Sequence, residues 1–180
     1  MKIVKSKISG CFKIEPIIHR DYRGSFIKNY RSDFFEENSL DNNFCEDYYS
    51  ESFKGVLRGM HFQLPPHDHN KMVSCISGDI LDVIVDLRID SPTYGMHDSF
   101  KINSENAEIV YICKGIAHGF YTLSQKALVY YKVSSLYEPH SDSGIKWDSI
   151  GYKWPSNNPI VSERDQSFSP MNDFQSPFKV

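Results

Sequence analysis

Residues 57–71, LRGMHFQLPPHDHNK, gather Arg58, His61, Gln63, His67, His69 and Lys71 between two strand-like runs. Burying so much imidazole and charge beside apolar segments is costly unless the groups are paired or used. The stretch is therefore the first candidate for a site. The chemistry it offers is proton transfer near neutral pH by imidazole, and stabilisation of developing negative charge by a lysine or arginine. In an extended strand His61 and Gln63 share a face, and Arg58, three residues from His61, points to the other. His61 lies between Met60 and Phe62 in a segment with strand character, which favours a functional role. His67 and His69 stand in a Pro-Pro-His-Asp-His-Asn loop, where turn chemistry accounts for them and a structural role is the better reading.

Such side chains need rigid elements to hold them, and the chain reads as strands. Its 12 Phe and 11 Tyr favour extended structure over helix. Residues 11–17 (CFKIEPI) and 25–30 (SFIKNY) are expected strands joined by a polar turn, HRDYRG, in which Gly24 takes a positive φ. Arg23 at the end of that turn is either a solvated charge or an anion contact. Residues 32–40 (SDFFEENSL) predict one short helix with Ser32 as its N-cap. From residue 44 to 137 the pattern is strands alone, at intervals near ten residues, as in an antiparallel sandwich or barrel. In ILDVIVDLR, Leu81, Val83, Val85 and Leu87 share one face, and Asp82 and Asp86 alternate with Ile80 and Ile84 on the other. Carboxylates on an inward face imply a partly polar interior, hence a barrel with a lined pocket. After Tyr137 the composition shifts to Ser, Asp, Pro, Asn and Trp, as in a packed C-terminal extension. One domain over residues 1–180 is expected, with a core of about 11–137 and an extension at 138–180.

A length of 180 residues supports one substantial core. The net charge of −3 and a pI near 6.1 argue against a nucleic-acid-binding surface, while a local basic patch for a phosphate is compatible with them. Cys11, Cys45, Cys75 and Cys113 are far apart and form no C-x-x-C pair, so reduced thiols in a cytoplasmic protein are expected rather than zinc or a disulfide framework. No stretch approaches the roughly 20 apolar residues of a membrane span, and the N-terminus lacks a signal-peptide core. Neither a nucleic acid nor a membrane is an expected partner.

The order of motifs adds to this reading. D-Y-R-G (21–24), L-R-G-M-H-F-Q (57–63), Lys71-Met-Val, D-V-I-V-D-L-R followed by S-P-T (82–93), G-I-A-H-G-F (115–120), Y-Y-K (130–132) and S-E-R-D (162–165) run along nearly the whole chain. In that order they resemble the nucleotide-sugar 3,5-epimerases typified by dTDP-4-dehydrorhamnose 3,5-epimerase. The resemblance implies an all-β, antiparallel jelly-roll barrel of the cupin type, a cofactor-free site, and inversion at C3 and/or C5 of a nucleotide-diphosphate-linked 4-keto-6-deoxy sugar, in deoxysugar synthesis for surface polysaccharide. It also implies roles. His61 is the base, Tyr131 the acid on the opposite face, Asp165 the carboxylate that orients His61, and Lys71 the cation that holds the enolate oxygen. His118 and Gln63 belong to the substrate pocket, Arg23, Arg58 and Arg164 to the diphosphate or nucleotide, and Tyr137 to the base. Composition alone does not separate Tyr131 from Tyr130. Family members are homodimers whose N-terminal strands reach the neighbouring subunit, so Arg23 and Lys28 are expected to complete a partner's pocket.

Departures from the family pattern bear on the substrate. Lys28 stands where the pattern has Glu, and Glu46-Asp47-Tyr48 where it has Gln-Asp-Asn, which alters contacts to nucleotide or sugar. A CDP- or GDP-linked 4-keto-deoxy sugar, heptose included, is the alternative substrate. Two other classes compete. A metal-dependent cupin would use His67 and His69 with His118, but the pair lies in a Pro-rich turn and no Glu follows at the usual spacing. A non-catalytic sugar-nucleotide binding module would not need the acid, base and oxyanion candidates that this chain keeps.

Overall fold

The computed structural model describes residues 1–180. Its strands are, in chain order, β1 (Lys2–Lys5), β2 (Phe12–Glu15), β3 (Ile17–Asp21), β4 (Gly24–Lys28), β5 (Glu46–Phe53), β6 (Leu57–Gln63) and β7 (Lys71–Ser77). They continue with β8 (Asp79–Asp86), β9 (His97–Asn103), β10 (Ile109–Ile112), β11 (Ile116–Thr122), β12 (Lys126–Val133) and β13 (Asp142–Gly144). The only α-helices are α1 (Ser32–Glu37) and α2 (Glu163–Gln166). A six-stranded sheet, β1-β2-β10-β7-β12-β5, faces a five-stranded sheet, β13-β6-β11-β8-β9, and β3 with β4 forms a separate hairpin. Every ladder between these strands is antiparallel. The result is the expected antiparallel jelly roll of the cupin type. No helix is long and apolar enough to cross a membrane.

Both faces of the five-stranded sheet are covered, and the alternation in β8 explains how. Ile80 and Ile84 point between the sheets, where they meet Val73, Val110, Phe120, Val129 and Tyr131. Val83, Val85 and Leu87 point outward, where the C-terminal segment lays Ile145, Ile150, Trp154 and Phe178 over them. Trp154 donates its indole N–H to the Trp147 carbonyl at 3.0 Å, which lets a large amphipathic ring be buried without loss. Asp86, on the inward face, is consumed by structure. Its carboxylate takes hydrogen bonds from the Arg88 guanidinium at 2.7 and 2.9 Å, from Ser91 Oγ at 2.6 Å and from Thr93 Oγ1 at 2.7 Å, tying the D-L-R-x-x-S-P-T turn. The four cysteines are free thiols.

Four local expectations need correction. The helix starts at Ser32, but the N-cap is Arg31, in extended backbone and without a side-chain cap. Arg31 instead pairs with Asp33 in the first turn. The helix ends at Glu37 rather than running to residue 40, and it is held by Phe35, which is fully buried against Tyr30, Phe44 and Tyr111. The stretch CFKIEPI is not one strand. Pro16 has no N–H to give to a ladder, and there the chain leaves β2 and enters the hairpin. Residues 19–21 of the expected turn are the end of β3, so the turn is only Tyr22-Arg23, closed by Gly24 at φ +123°.

The fourth correction bears on the site. Arg58 and His61 do not point to opposite faces. His118 in β11 pairs with His61 in β6, but Phe120 pairs with Arg58, so three steps along β6 match two along β11. The extra residue is a β-bulge at Gly59-Met60. It sends Leu57, Met60 and Phe62 outward to the C-terminal segment and brings Arg58, His61 and Gln63 to one side. Only glycine fits there: Gly59 has φ +139°, and a Cβ on it would lie 2.5 Å from Gly119 Cα.

Candidate active site

One end of the interior is not filled by apolar side chains and forms a cavity of about 780 Å³. β5 gives it Glu46, Tyr48 and Ser50; β6 gives Arg58, His61 and Gln63. β7 gives Lys71, β11 His118 and β12 Tyr131. The C-terminal segment closes the wall with Arg164 and Asp165 from α2, and Tyr137 and Asp142 stand nearby. Eleven of the thirteen residues singled out in the sequence thus line one cavity. Arg23 and Lys28 do not. They lie on the β3–β4 hairpin, where Arg23 is paired with Asp21 at 2.6 Å and Lys28 is exposed.

His61 Nε2 lies 2.7 Å from Asp165 Oδ1, although 104 residues separate them in the chain. Asp165 is fixed from three sides. Its Oδ2 accepts the Gly59 N–H at 3.0 Å, its backbone N–H is capped by Ser162 Oγ at 3.1 Å, and Arg164 Nε lies 3.4 Å from Oδ1. Burial pushes the Asp165 carboxyl up, but the hydrogen bond and charge of His61, the Gly59 amide and Arg164 outweigh it and hold the group below the ordinary carboxylate value. An ionised Asp165 accepts the proton on Nε2, which leaves the lone pair on Nδ1. That nitrogen has no partner within the chain. Phe168 packs edge-on to the imidazole at 5.9 Å and limits its rotation.

Tyr131 approaches from the facing sheet. Its ring stacks on Tyr48 with centroids 4.8 Å apart at 22°, and its hydroxyl lies 3.2 Å from Ser50 Oγ. Burial drives the phenol's pKa well above its usual range, so the group is a proton donor at neutral pH. Tyr130, the alternative left open by composition, points to the other face of β12 and bonds Asp47 at 3.1 Å. Lys71 stands in the same wall as Tyr131, on the neighbouring strand β7. Burial pushes its ammonium down to about 8, against the opposing pull of Asp82 and Asp142. It has no hydrogen-bond or ion-pair partner in the chain and is not one of the enclosed unpaired polar atoms. His118, also in the cavity wall, donates its Nε2–H to Asp82 Oδ2 at 2.6 Å, and burial lowers its pKa more than Asp82 raises it.

The remaining side chains form the mouth and the frame. Arg164 bonds Asp142 Oδ2 at 2.6 Å and keeps half its surface exposed. Arg58 is held by Ser52 Oγ at 2.9 Å and the Glu51 carbonyl at 3.0 Å. Tyr137 is exposed, and its backbone N–H donates to Glu46 Oε2 at 2.7 Å. Gln63 is spent on the loops: it accepts from Glu138 N–H at 2.7 Å and donates to the His67 carbonyl at 2.9 Å. His67 bonds Ser141 Oγ at 2.9 Å, as expected of a structural residue. No three His, Cys, Asp or Glu side chains are grouped to hold a metal ion.

Sequence reasoning assigned Ser50 and Asp142 no role, and His69 and Asp82 none in the epimerase site. His69 was assigned to turn chemistry, yet it lines the cavity. The available signal was its spacing of two from Lys71, which gives both side chains one direction in extended backbone. Asp82 was visible as a carboxylate on the inward face, but nothing local named His118 as its partner.

The arrangement joins a carboxylate-oriented imidazole on one sheet with a protonated phenol and a buried ammonium on neighbouring strands of the other. It can take a proton from one face of a carbon acid and return one to the opposite face. A family model described as dTDP-4-dehydrorhamnose 3,5-epimerase matches residues 5–173. The chain is 40% identical over 177 residues to the dTDP-4-dehydrorhamnose 3,5-epimerase of Methanothermobacter thermautotrophicus, covering 96% of this chain and 95% of the relative. It superposes with a TM-score of 0.92 on the dTDP-6-deoxy-D-glucose-3,5-epimerase of Legionella pneumophila in complex with dTDP-4-keto-L-rhamnose, at 34% identity and covering 97% and 94% of the two chains. The corresponding values for the dTDP-4-dehydrorhamnose 3,5-epimerase of Elizabethkingia anophelis are 0.88, 38%, 96% and 97%.

Proposed function

The chain belongs to the dTDP-4-dehydrorhamnose 3,5-epimerase family, isomerases of nucleotide sugars, and from that premise we propose that it inverts C3, C5 or both of a dTDP-linked 4-keto-6-deoxy sugar. The observation that carries the proposal is the His61–Asp165 pair on one sheet facing Tyr131 on the other across the cavity, with Lys71 on the strand beside Tyr131. The ketone at C4 acidifies the neighbouring C–H bonds. His61 Nδ1 removes one of these protons, and the electron pair moves to the keto oxygen as an enolate. Lys71 holds that oxygen, and one such preorganised donor is worth roughly 3–4 kcal/mol of barrier. Tyr131 then gives its proton to the same carbon from the opposite face, which inverts it. Asp165 stabilises the imidazolium that the first step creates.

Arg164, Arg58 and Tyr137 at the mouth are assigned to the diphosphate and base, where a guanidinium fork suits phosphate oxygens and an aromatic face suits stacking. Arg23 and Lys28 lie outside this chain's own cavity, and their assignment to a partner's pocket requires the homodimer that the hairpin would build. The names of the relatives favour dTDP over CDP or GDP. The proposed steps draw on no metal or organic cofactor, and the whole chain acts as one unit. Deoxysugar synthesis for surface polysaccharide, in the cytoplasm, is the proposed setting.

The test is proton NMR in D2O of dTDP-, CDP- and GDP-linked 4-keto-6-deoxy sugars with the wild-type protein and His61→Ala, before and after chelation. Deuterium entering C3, C5 or both, fastest with the dTDP sugar and lost in the variant, is the expected result. Absence of exchange with every donor would refute the epimerase reading, and exchange abolished by chelation would refute the metal-free one.

A further inference from the structure

His69 lines the cavity, yet the proton transfers described above give it no task. Its surroundings settle which of its nitrogens carries the proton. The Glu138 N–H donates to Gln63 Oε1, so Nε2 is the donor end of the Gln63 amide. That NH2 faces the His67 carbonyl at 2.9 Å, the Leu136 carbonyl at 3.2 Å, Ser135 Oγ at 3.3 Å and His69 Nδ1 at 3.2 Å; a proton on Nδ1 would point at this donor, so a neutral ring carries its proton on Nε2. Ser135, 3.4 Å from the same nitrogen, gives its own proton to the His67 carbonyl at 2.6 Å. Nε2 has no partner in the chain. Nor is it one of the enclosed unpaired polar atoms, which are Asn29 Oδ1, Asp82 Oδ1 and Thr122 Oγ1, so solvent reaches it, and the cavity that His69 lines together with Lys71 is the space it is assigned to. Burial, together with Lys71, Lys114 and His118, pushes the imidazole down to about 3, so the ring is neutral near pH 7.

A neutral donor on a fixed mount is suited to a neutral acceptor, whereas an anion would call for a charge. We propose that His69 is a specificity-determining residue whose Nε2–H donates a hydrogen bond to a ring hydroxyl of the sugar, next to the keto oxygen that Lys71 holds. This rests on the epimerase reading, which places the C4 oxygen at Lys71. A site built to bond a hydroxyl discriminates against the analogue that lacks it, because its donor is then left unpaired.

The test is a double-mutant cycle between protein and ligand. Binding of the unreactive dTDP-glucose and of its 2-deoxy and 3-deoxy analogues is measured by titration calorimetry for wild type, His69→Phe and His69→Gln. Wild type is expected to lose about tenfold in affinity when one of the two hydroxyls is removed. His69→Phe should bind dTDP-glucose about tenfold more weakly and be indifferent to that same deletion, while His69→Gln, which keeps an N–H donor, stays within about threefold of wild type. Equal deoxy penalties in wild type and His69→Phe, for both hydroxyls, would overturn the assignment, as would unchanged dTDP-glucose affinity in His69→Phe. Retained affinity in His69→Gln also guards against a folding artefact. Deuterium exchange by the wild type is followed in parallel: binding without exchange refutes the epimerase reading while the cycle still decides His69, and failure to bind dTDP-glucose refutes both.

Discussion

Asp165→Asn isolates the orienting carboxylate, and the structure dictates how it should fail. Oδ2 serves the Gly59 N–H at 3.0 Å, and Oδ1 serves chiefly the imidazole Nε2 at 2.7 Å, with the half-exposed Arg164 Nε more distant at 3.4 Å. An amide has a single acceptor oxygen. If that oxygen stays with Gly59, the new NH2 faces Nε2 and forces the imidazole proton onto Nδ1, the nitrogen that opens on the cavity. If it turns to His61 instead, two donors meet at Gly59 inside the bulge, at a cost of about 1–3 kcal/mol. The first arrangement is cheaper, so the base is lost to the wrong tautomer. A general base contributes about 10²–10⁴-fold, and a carboxylate-to-amide change beside a catalytic histidine has cost roughly 10⁴-fold elsewhere. We expect kcat for deuterium incorporation to fall about 10³-fold, or ~4 kcal/mol of barrier, with KM changed far less. Stability gives a second readout. Because the folded carboxyl is held low, the pair stabilises the fold above the unfolded value of about 3.9 and loses that contribution as pH falls through the folded value. Wild type should therefore lose melting temperature below about pH 4 more steeply than the variant. A variant with kcat within tenfold of wild type and the same acid melting profile would refute the orientation argument.

Two further outcomes follow from the same geometry. Lys71 is pushed down to about 8 by burial, so the rate of exchange should fall about tenfold per pH unit above that value; Lys71→Met should lose this limb and run about 10²–10³-fold slower throughout. In the unfolded chain the same lysine holds its proton up to about 10.4, so between the two values the unfolded state binds more protons and wild type gains stability with rising pH relative to Lys71→Met; parallel melting curves across that window would sink the claim. Gly59→Ala would place a Cβ 2.5 Å from Gly119 Cα at φ +139°, and should cost about 3 kcal/mol or more, a drop of roughly 6–12 °C in Tm for a chain of this size. A melt within about 2 °C of wild type would mean that the bulge does not depend on glycine.

Much of the fold was legible because its signals are local. The alternation in β8 gives side-chain direction directly, and the structure places Val83, Val85 and Leu87 on one side of the sheet and Asp82 and Asp86 on the other. The hairpin boundary was not legible in the same way, since HRD reads as polar turn until β4 supplies it with a partner strand. Ser32 looked like an N-cap by residue type, but the turn that would use its hydroxyl begins one residue earlier. The cavity shows a sharper limit. Strict alternation put Arg58 and His61 on opposite faces, and one inserted residue at Gly59-Met60 reversed that conclusion.

By itself, the sequence determined most of the strand content, the face each β8 side chain takes and, through the order of its motifs, the family and eleven of the residues gathered in the cavity. Local periodicity and residue type suffice for these, since both act over a few bonds. The tertiary structure alone decided which groups touch: Asp165 with His61 across 104 residues, Asp82 with His118, Tyr48 stacked on Tyr131, and His69 turned from loop residue to cavity wall. Partnership of this kind depends on register between strands and on the path of the C-terminal segment, which no stretch of a few residues encodes. Desolvation belongs to the same class. It lowers Lys71 and His69 and raises Tyr131, and it arises only when two sheets close around them.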